Sequence, residues 1–143
     1  MHRITILFAP DEEGYRTPAE TLGQAFSRLG LDVVVKAAGE ARFPDILASD
    51  IVIFGSEVVG SGALHPHFGE IVRTFEGVNL AGRLSGFLCY ENNGASSLFR
   101  DALRDTDISF FQEDLVIRSD ETSDKRIEAW AGKLYGRYEE RHG

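Results

Sequence analysis

Five short apolar runs, at residues 4–9, 32–38, 50–55, 84–90 and 115–118, recur along the chain and constrain its fold more than any other feature. They are nearly continuous rather than alternating, as in Asp-Ile-Val-Ile-Phe-Gly at 50–55. A strand with one wet face alternates; an unbroken run suits a strand covered on both faces, as in a parallel sheet. Segments of helical period lie between them. Leu22, Ala25, Phe26 and Leu29 fall at i, i+3, i+4 and i+7, as do Phe68, Ile71, Val72 and Phe75. Gly30 and Gly77 follow these two stripes, where a helix closes most easily through a left-handed residue. Leu98, Phe99, Ala102 and Leu103 make a shorter stripe, and Ile127, Trp130, Ala131 and Leu134 the last, with Ser123 as its expected cap. Residues 43–49 leave room for a short helix opening near Pro44.

The order is β-α-β-α-β-α-β-α-β, without repeats, low-complexity stretches or a separating linker, so residues 1–143 read as a single domain. Right-handed crossovers turn that order into a doubly wound five-stranded parallel sheet with helices on both faces. Such sheets bind ligands at the carboxyl ends of their strands, where the strand order reverses. Three loops therefore carry the functional expectation: residues 10–17, 56–66 and 91–97.

Charge narrows the partners. Fifteen Lys and Arg against 23 Asp and Glu give a net charge of −8, without the basic stripe that neutralises phosphates. Nucleic acid and anionic membranes are excluded as expected partners. The single cysteine, Cys89, cannot form an internal disulfide, and the run at 4–9 is too short for a signal peptide or a span. A cytoplasmic location is the expectation.

Several stretches carry a family likeness. Asp50-Ile-Val-Ile-Phe-Gly-Ser56, then a loop with Gly60 and Gly62, then Leu64 and Phe68 opening a helix, resemble the third strand and ring-binding loop of the flavodoxin family. Asn79-Leu80-Ala81-Gly82-Arg83 resembles the entry to its fourth strand; Asp114-Leu115-Val116-Ile117 and Ile127-Glu128-Ala129-Trp130-Ala131 resemble its last strand and helix. The resemblance implies a flavodoxin-like sheet of order 2-1-3-4-5, non-covalent FMN and one-electron transfer between proteins. It places cofactor contacts at Gly14, Arg16 and Thr17, at Ser56, Val58, Val59 and Gly60, and at Tyr90, Asn92, Asn93 and Gly94.

Each loop also has a plainer reading. The family's phosphate loop is rich in Ser and Thr, roughly Ser/Thr-x-Thr-Gly-x-Thr. Here residues 9–17 are Ala-Pro-Asp-Glu-Glu-Gly-Tyr-Arg-Thr, in which Gly14 and Thr17 match while Ala, Pro and carboxylates replace the early hydroxyls. At about 6 Å, one pair of like unit charges costs about 0.7 kcal/mol in water and about 2.8 at an effective dielectric near 20. Arg16 can offset one of the three acids. Thr17-Pro18-Ala19-Glu20 also reads as a capping box, with Thr17 the cap and Pro18 the first helical residue. In the second loop, Val58 and Val59 stand where relatives place an aromatic over the flavin, and a simple Gly-rich turn is the alternative. In the third, Tyr90 is either a stacking residue or a wall, and Asn-Gly at 93–94 is also a turn signal. His65-Pro66-His67 lacks a third ligand with metal spacing, and Pro66 suits a helix start. Cys89 reads as a small buried residue, Trp130 as core, and Glu113-Asp114 and residues 119–121 as solvated acids.

Two functions stand open. One is an FMN-binding electron carrier, non-enzymatic, whose acidic rim steers it to basic-surfaced redox partners. The other is a flavodoxin-fold domain that has lost FMN and binds or regulates proteins. A phospho-receiver is disfavoured because Phe54-Gly55-Ser56 supplies no acceptor carboxylate after strand 3, and a hydrolase because no Gly-x-Ser-x-Gly elbow is present.

Overall fold

A computed structural model describes residues 2–91, 94–118 and 124–142. The elements run β1 (Arg3–Ala9), α1 (Glu13–Arg28), β2 (Asp32–Ala37), α2 (Phe43–Leu47), β3 (Ile51–Ser56), α3 (Pro66–Arg73), β4 (Leu84–Tyr90), α4 (Ala95–Leu103), β5 (Ser109–Phe110), β6 (Leu115–Ile117) and α5 (Asp124–His142). All strand pairs are parallel, in the order β2-β1-β3-β4-β5, with β6 also on β4. The expected order 2-1-3-4-5 is therefore present, with the fifth position divided. Ser109 and Phe110 line up with Leu84 and Ser85 at the start of β4, and residues 115–117 line up with Leu88, Cys89 and Tyr90 at its end. Two residues are too few to register as an apolar run, so the sequence reveals only the second half.

The interruption at 111–114 is held from both sides. Arg100 Nη2 donates to the Phe111 carbonyl and to Asp114 Oδ1, both at 3.1 Å, and Ser96 Oγ donates to Asp114 Oδ2 at 2.6 Å. Trp130 Nε1 donates to the Glu113 carbonyl at 2.8 Å, which keeps the buried indole satisfied. Asp114 is thus a half-buried anchor rather than the solvated acid its sequence suggests.

Alternation along the central strands builds two cores. Ile4, Ile6 and Phe8 face α1 and α5, where Leu22, Phe26, Trp130 and Leu134 meet them. Leu7, Val52, Phe54 and Phe87 face the other way, against Phe68 of α3 and Phe99 of α4. Phe99 stacks on Phe54 at 4.9 Å and meets Phe68 edge-on at 5.0 Å. Gly86 brings α5 close to the sheet: a Cβ there would lie 2.6 Å from Leu134 Cδ1 and 2.9 Å from the Trp130 ring. Gly30 closes α1 at φ +92°, as expected, whereas α3 ends at Arg73 with Thr74 as its cap and Gly77, at φ +76°, ends the turn that follows. Among the described residues no helix is long and apolar enough to cross a membrane.

Candidate functional site

The three loops leave the sheet side by side, because Ala9 pairs with Ser56 and Ser56 with Cys89 across β1, β3 and β4. The first differs from its expected capping. Helix α1 starts at Glu13, with Glu12 as an extended cap residue, so Thr17 stands exposed in the second turn and Pro18 lies inside the helix. Pro18 cannot donate to the Gly14 carbonyl, a loss of about 3 kcal/mol in a helix interior. Tyr15 accounts for the early start. It extends the buried stripe of Ala19, Leu22 and Phe26 by four residues and packs on the core.

Tyr15 also ties the loops together. Its carbonyl accepts the Tyr90 hydroxyl at 2.9 Å, its own hydroxyl donates to Glu57 Oε2 at 3.2 Å, and the two rings meet edge-to-face with centroids 4.6 Å apart. Gly55 makes this possible, since a Cβ at that point would sit 3.0 Å from the Tyr90 hydroxyl oxygen. Burial raises the Tyr90 phenol above its usual range, with the Tyr15 phenol adding to it. Burial raises Tyr15 as well, followed by its hydrogen bond to Glu57 and that residue's charge. Both hydroxyls therefore remain donors at neutral pH.

Around that tie, the first loop closes on itself. Glu12 N–H donates to the Pro10 carbonyl, and the Tyr15 and Arg16 N–H groups donate to the Glu12 carbonyl, at 2.9–3.0 Å. Arg16 pairs with Asp11 and lies over the Phe8 ring, 5.6 Å from its centroid. In the second loop Val58 forms a bridge with Leu64 and packs against the α3/α4 core, while Val59 is half-buried and Gly60 exposed. Buried Ser56 donates to the Glu57 carbonyl and accepts from His65 N–H, joining the loop's two ends. His65 Nδ1 accepts from His67 N–H and caps α3, with Pro66 at its first position.

In the third loop Glu91 has φ +62°, an uncommon backbone for a residue with a Cβ, and its N–H donates to the Ile117 carbonyl at 2.8 Å. Gly94, at φ +79°, caps α4. Asn92, Asn93, residues 119–121 and the expected cap Ser123 lie outside the described residues. Behind Glu91 a recess of about 220 Å³ is lined by Gly14, Tyr15, Tyr90, Glu91 and Ile117. Cys89 is buried one residue before Tyr90, and burial pushes its thiol up, as a structural cysteine requires.

Comparison with known proteins settles the architecture. No family model and no curated protein matches the sequence. Solved structures do match its fold. Oxidised flavodoxin 2 of Bacillus cereus superposes with a TM-score of 0.82 at 20% identity, over 94% of this chain and 99% of that one. The chain has the flavodoxin-like fold. The flavodoxin of Streptococcus pneumoniae gives a TM-score of 0.80 at 22% identity, again over 94% and 99%. That of Fusobacterium nucleatum, solved bound to flavin mononucleotide, gives 0.72 at 11% identity over 96% and 99%.

On this flavodoxin-like frame the expected residues divide by location. Gly14 and Tyr90 line the recess. Arg16 and Ser56 are engaged within their own loops, Val58 faces the core, and Thr17 is exposed on α1. Tyr15, Glu57 and Ile117 complete the edge without having been singled out as contacts. Tyr15 could have been found from its spacing of four and seven from Ala19 and Leu22; Glu57 carries no such signal. Chemically, the edge offers two aromatic rings, protonated phenols and acceptor carboxylates.

Proposed function

We propose that this chain is a flavodoxin-like electron carrier that takes a flavin at its carboxyl edge and exchanges electrons with basic-surfaced partner proteins. The observation that carries the reading is the aromatic recess of Tyr15 and Tyr90 at the carboxyl ends of β1, β4 and β6, beside the point where strand order reverses, on a frame that matches flavodoxins along nearly its whole length. Ligands of open α/β sheets bind at that point. The positive φ of Glu91 adds support, since strained backbone clusters at ligand sites.

The ring end of a flavin suits these residues. Tyr15, Tyr90 and Ile117 supply apolar wall, and Gly14 leaves room for close backbone approach. The phosphate end of FMN suits the neighbouring loop poorly, because Asp11, Glu12 and Glu13 crowd it with acids. A bound flavin supplies reversible one-electron chemistry; the protein contributes binding, orientation and electrostatics. Glu57 and Glu91 place negative charge at the edge, which disfavours further negative charge there. The net charge of −8 attracts basic partners at low salt.

A second reading, a flavin-free docking module, is favoured by one observation: the Tyr15–Glu57–Tyr90 tie already joins the three loops through protein groups. Titration of the full chain with flavins, followed by redox titration of any complex, separates the two. A saturable complex with a reversible couple supports the carrier; a chain that binds no flavin supports the module.

A further inference from the structure

Resting on the flavin reading, we infer that the carboxyl edge selects flavin without its terminal phosphate, taking riboflavin in preference to FMN. A phosphate dianion at a loop-to-helix junction needs backbone N–H groups, hydroxyl donors, a cation or the positive end of a helix. The first loop has committed most of these elsewhere. Of the seven positions from Pro10 to Arg16, four do not offer a free amide: Pro10 has none, Glu12 N–H is bound to the Pro10 carbonyl, and Tyr15 and Arg16 N–H are bound to the Glu12 carbonyl. The Arg16 guanidinium is paired with Asp11 and spread over Phe8. The start of α1 carries its own anion, Glu13, in the first turn, and its cap residue, Glu12, is a carboxylate where a hydroxyl would donate.

What the loop offers instead is acceptors. Asp11, Glu12 and Glu13 are exposed, and a carboxylate accepts hydrogen bonds without donating them. A neutral polyol chain ending in a hydroxyl brings the donors such a loop can satisfy, and a phosphate brings only more acceptors and two more negative charges. The flavin ring slot and the loop beside it thus call for different ends of the molecule: planar and apolar at one side, uncharged and donating at the other.

The test is a paired titration of the full chain with riboflavin and with FMN at low and high salt, read by flavin fluorescence and heat. Riboflavin is expected to bind about tenfold or more tightly than FMN at low salt, and the gap to narrow as salt screens the repulsion. The Glu12→Gln/Glu13→Gln variant, at two exposed positions, should shift the affinity ratio toward FMN by several fold. FMN binding as tightly as riboflavin, or a ratio unmoved in that variant, overturns the inference and leaves the flavin reading standing. Binding of neither flavin overturns the reading, and the inference with it.

Discussion

The Tyr90 hydroxyl donates to the Tyr15 carbonyl at 2.9 Å while the two rings meet edge-to-face at 4.6 Å, so one residue pair joins the end of β4 to the first turn of α1. With Tyr15 reaching on to Glu57, the segments after β1, β3 and β4 are tied together.

Tyr90→Phe keeps the ring and removes the donor, leaving the Tyr15 carbonyl without that partner. A loss of about 0.5–1.5 kcal/mol is expected in urea unfolding, the net worth of one intramolecular hydrogen bond, since that carbonyl keeps its place in the α1 ladder. Tyr15→Phe breaks only the tie to half-buried Glu57, and a smaller loss is expected.

The same pair sets a pH dependence. Both phenols are raised in the folded chain, Tyr90 chiefly by burial and Tyr15 by burial and then Glu57. The unfolded chain therefore gives up these protons first, near pH 10, and the folded chain holds more protons above it. Their contribution to stability is fully present below about pH 10 and is lost as pH rises past it. Unfolding free energies measured on either side of that pH should fall with pH in the wild type, and less steeply in Tyr90→Phe.

Gly86→Ala places a methyl group within 3 Å of Leu134 and Trp130, in the contact between α5 and β4. Overpacking of this kind costs about 1–3 kcal/mol, measurable as a lower urea midpoint. An unchanged midpoint would mean that α5 sits further from the sheet.

Phe99→Ala empties the centre of the phenylalanine cluster formed with Phe54, Phe68 and Phe87. Fully buried phenylalanine replaced by alanine costs about 3–5 kcal/mol. Thermal unfolding should show it, while the recess on the opposite face of the sheet keeps its tyrosines.

Neutralising the edge should alter redox behaviour. In a flavin complex, Glu57→Gln and Glu91→Gln each remove a negative charge that opposes electron uptake, so the midpoint potential should rise. Potentiometry of the loaded variants tests this, and an unmoved potential would place the flavin away from both residues.

The frame was legible because burial on both faces leaves unbroken apolar runs, and because Gly30 and Gly77 sit where left-handed backbone is needed. The site was less so. Thr17-Pro18-x-Glu20 has the local pattern of a capping box, yet burial of Tyr15 and its two hydrogen bonds pull the helix start five residues earlier. Local propensity gave way to packing. Tyr90 was visible as an aromatic at a strand end, but its inward hydroxyl depends on Gly55 of β3, the strand between β1 and β4, a relationship no spacing encodes. The division of the last strand likewise depends on Arg100 and Trp130 gripping carbonyls at 111 and 113.

The most direct test of the central claim is a riboflavin titration of the wild type beside Tyr15→Ala, followed by quenching of flavin fluorescence. The account predicts saturable quenching in the wild type and at least about tenfold weaker binding once this aromatic wall is removed. Undiminished flavin fluorescence at saturating protein would contradict it.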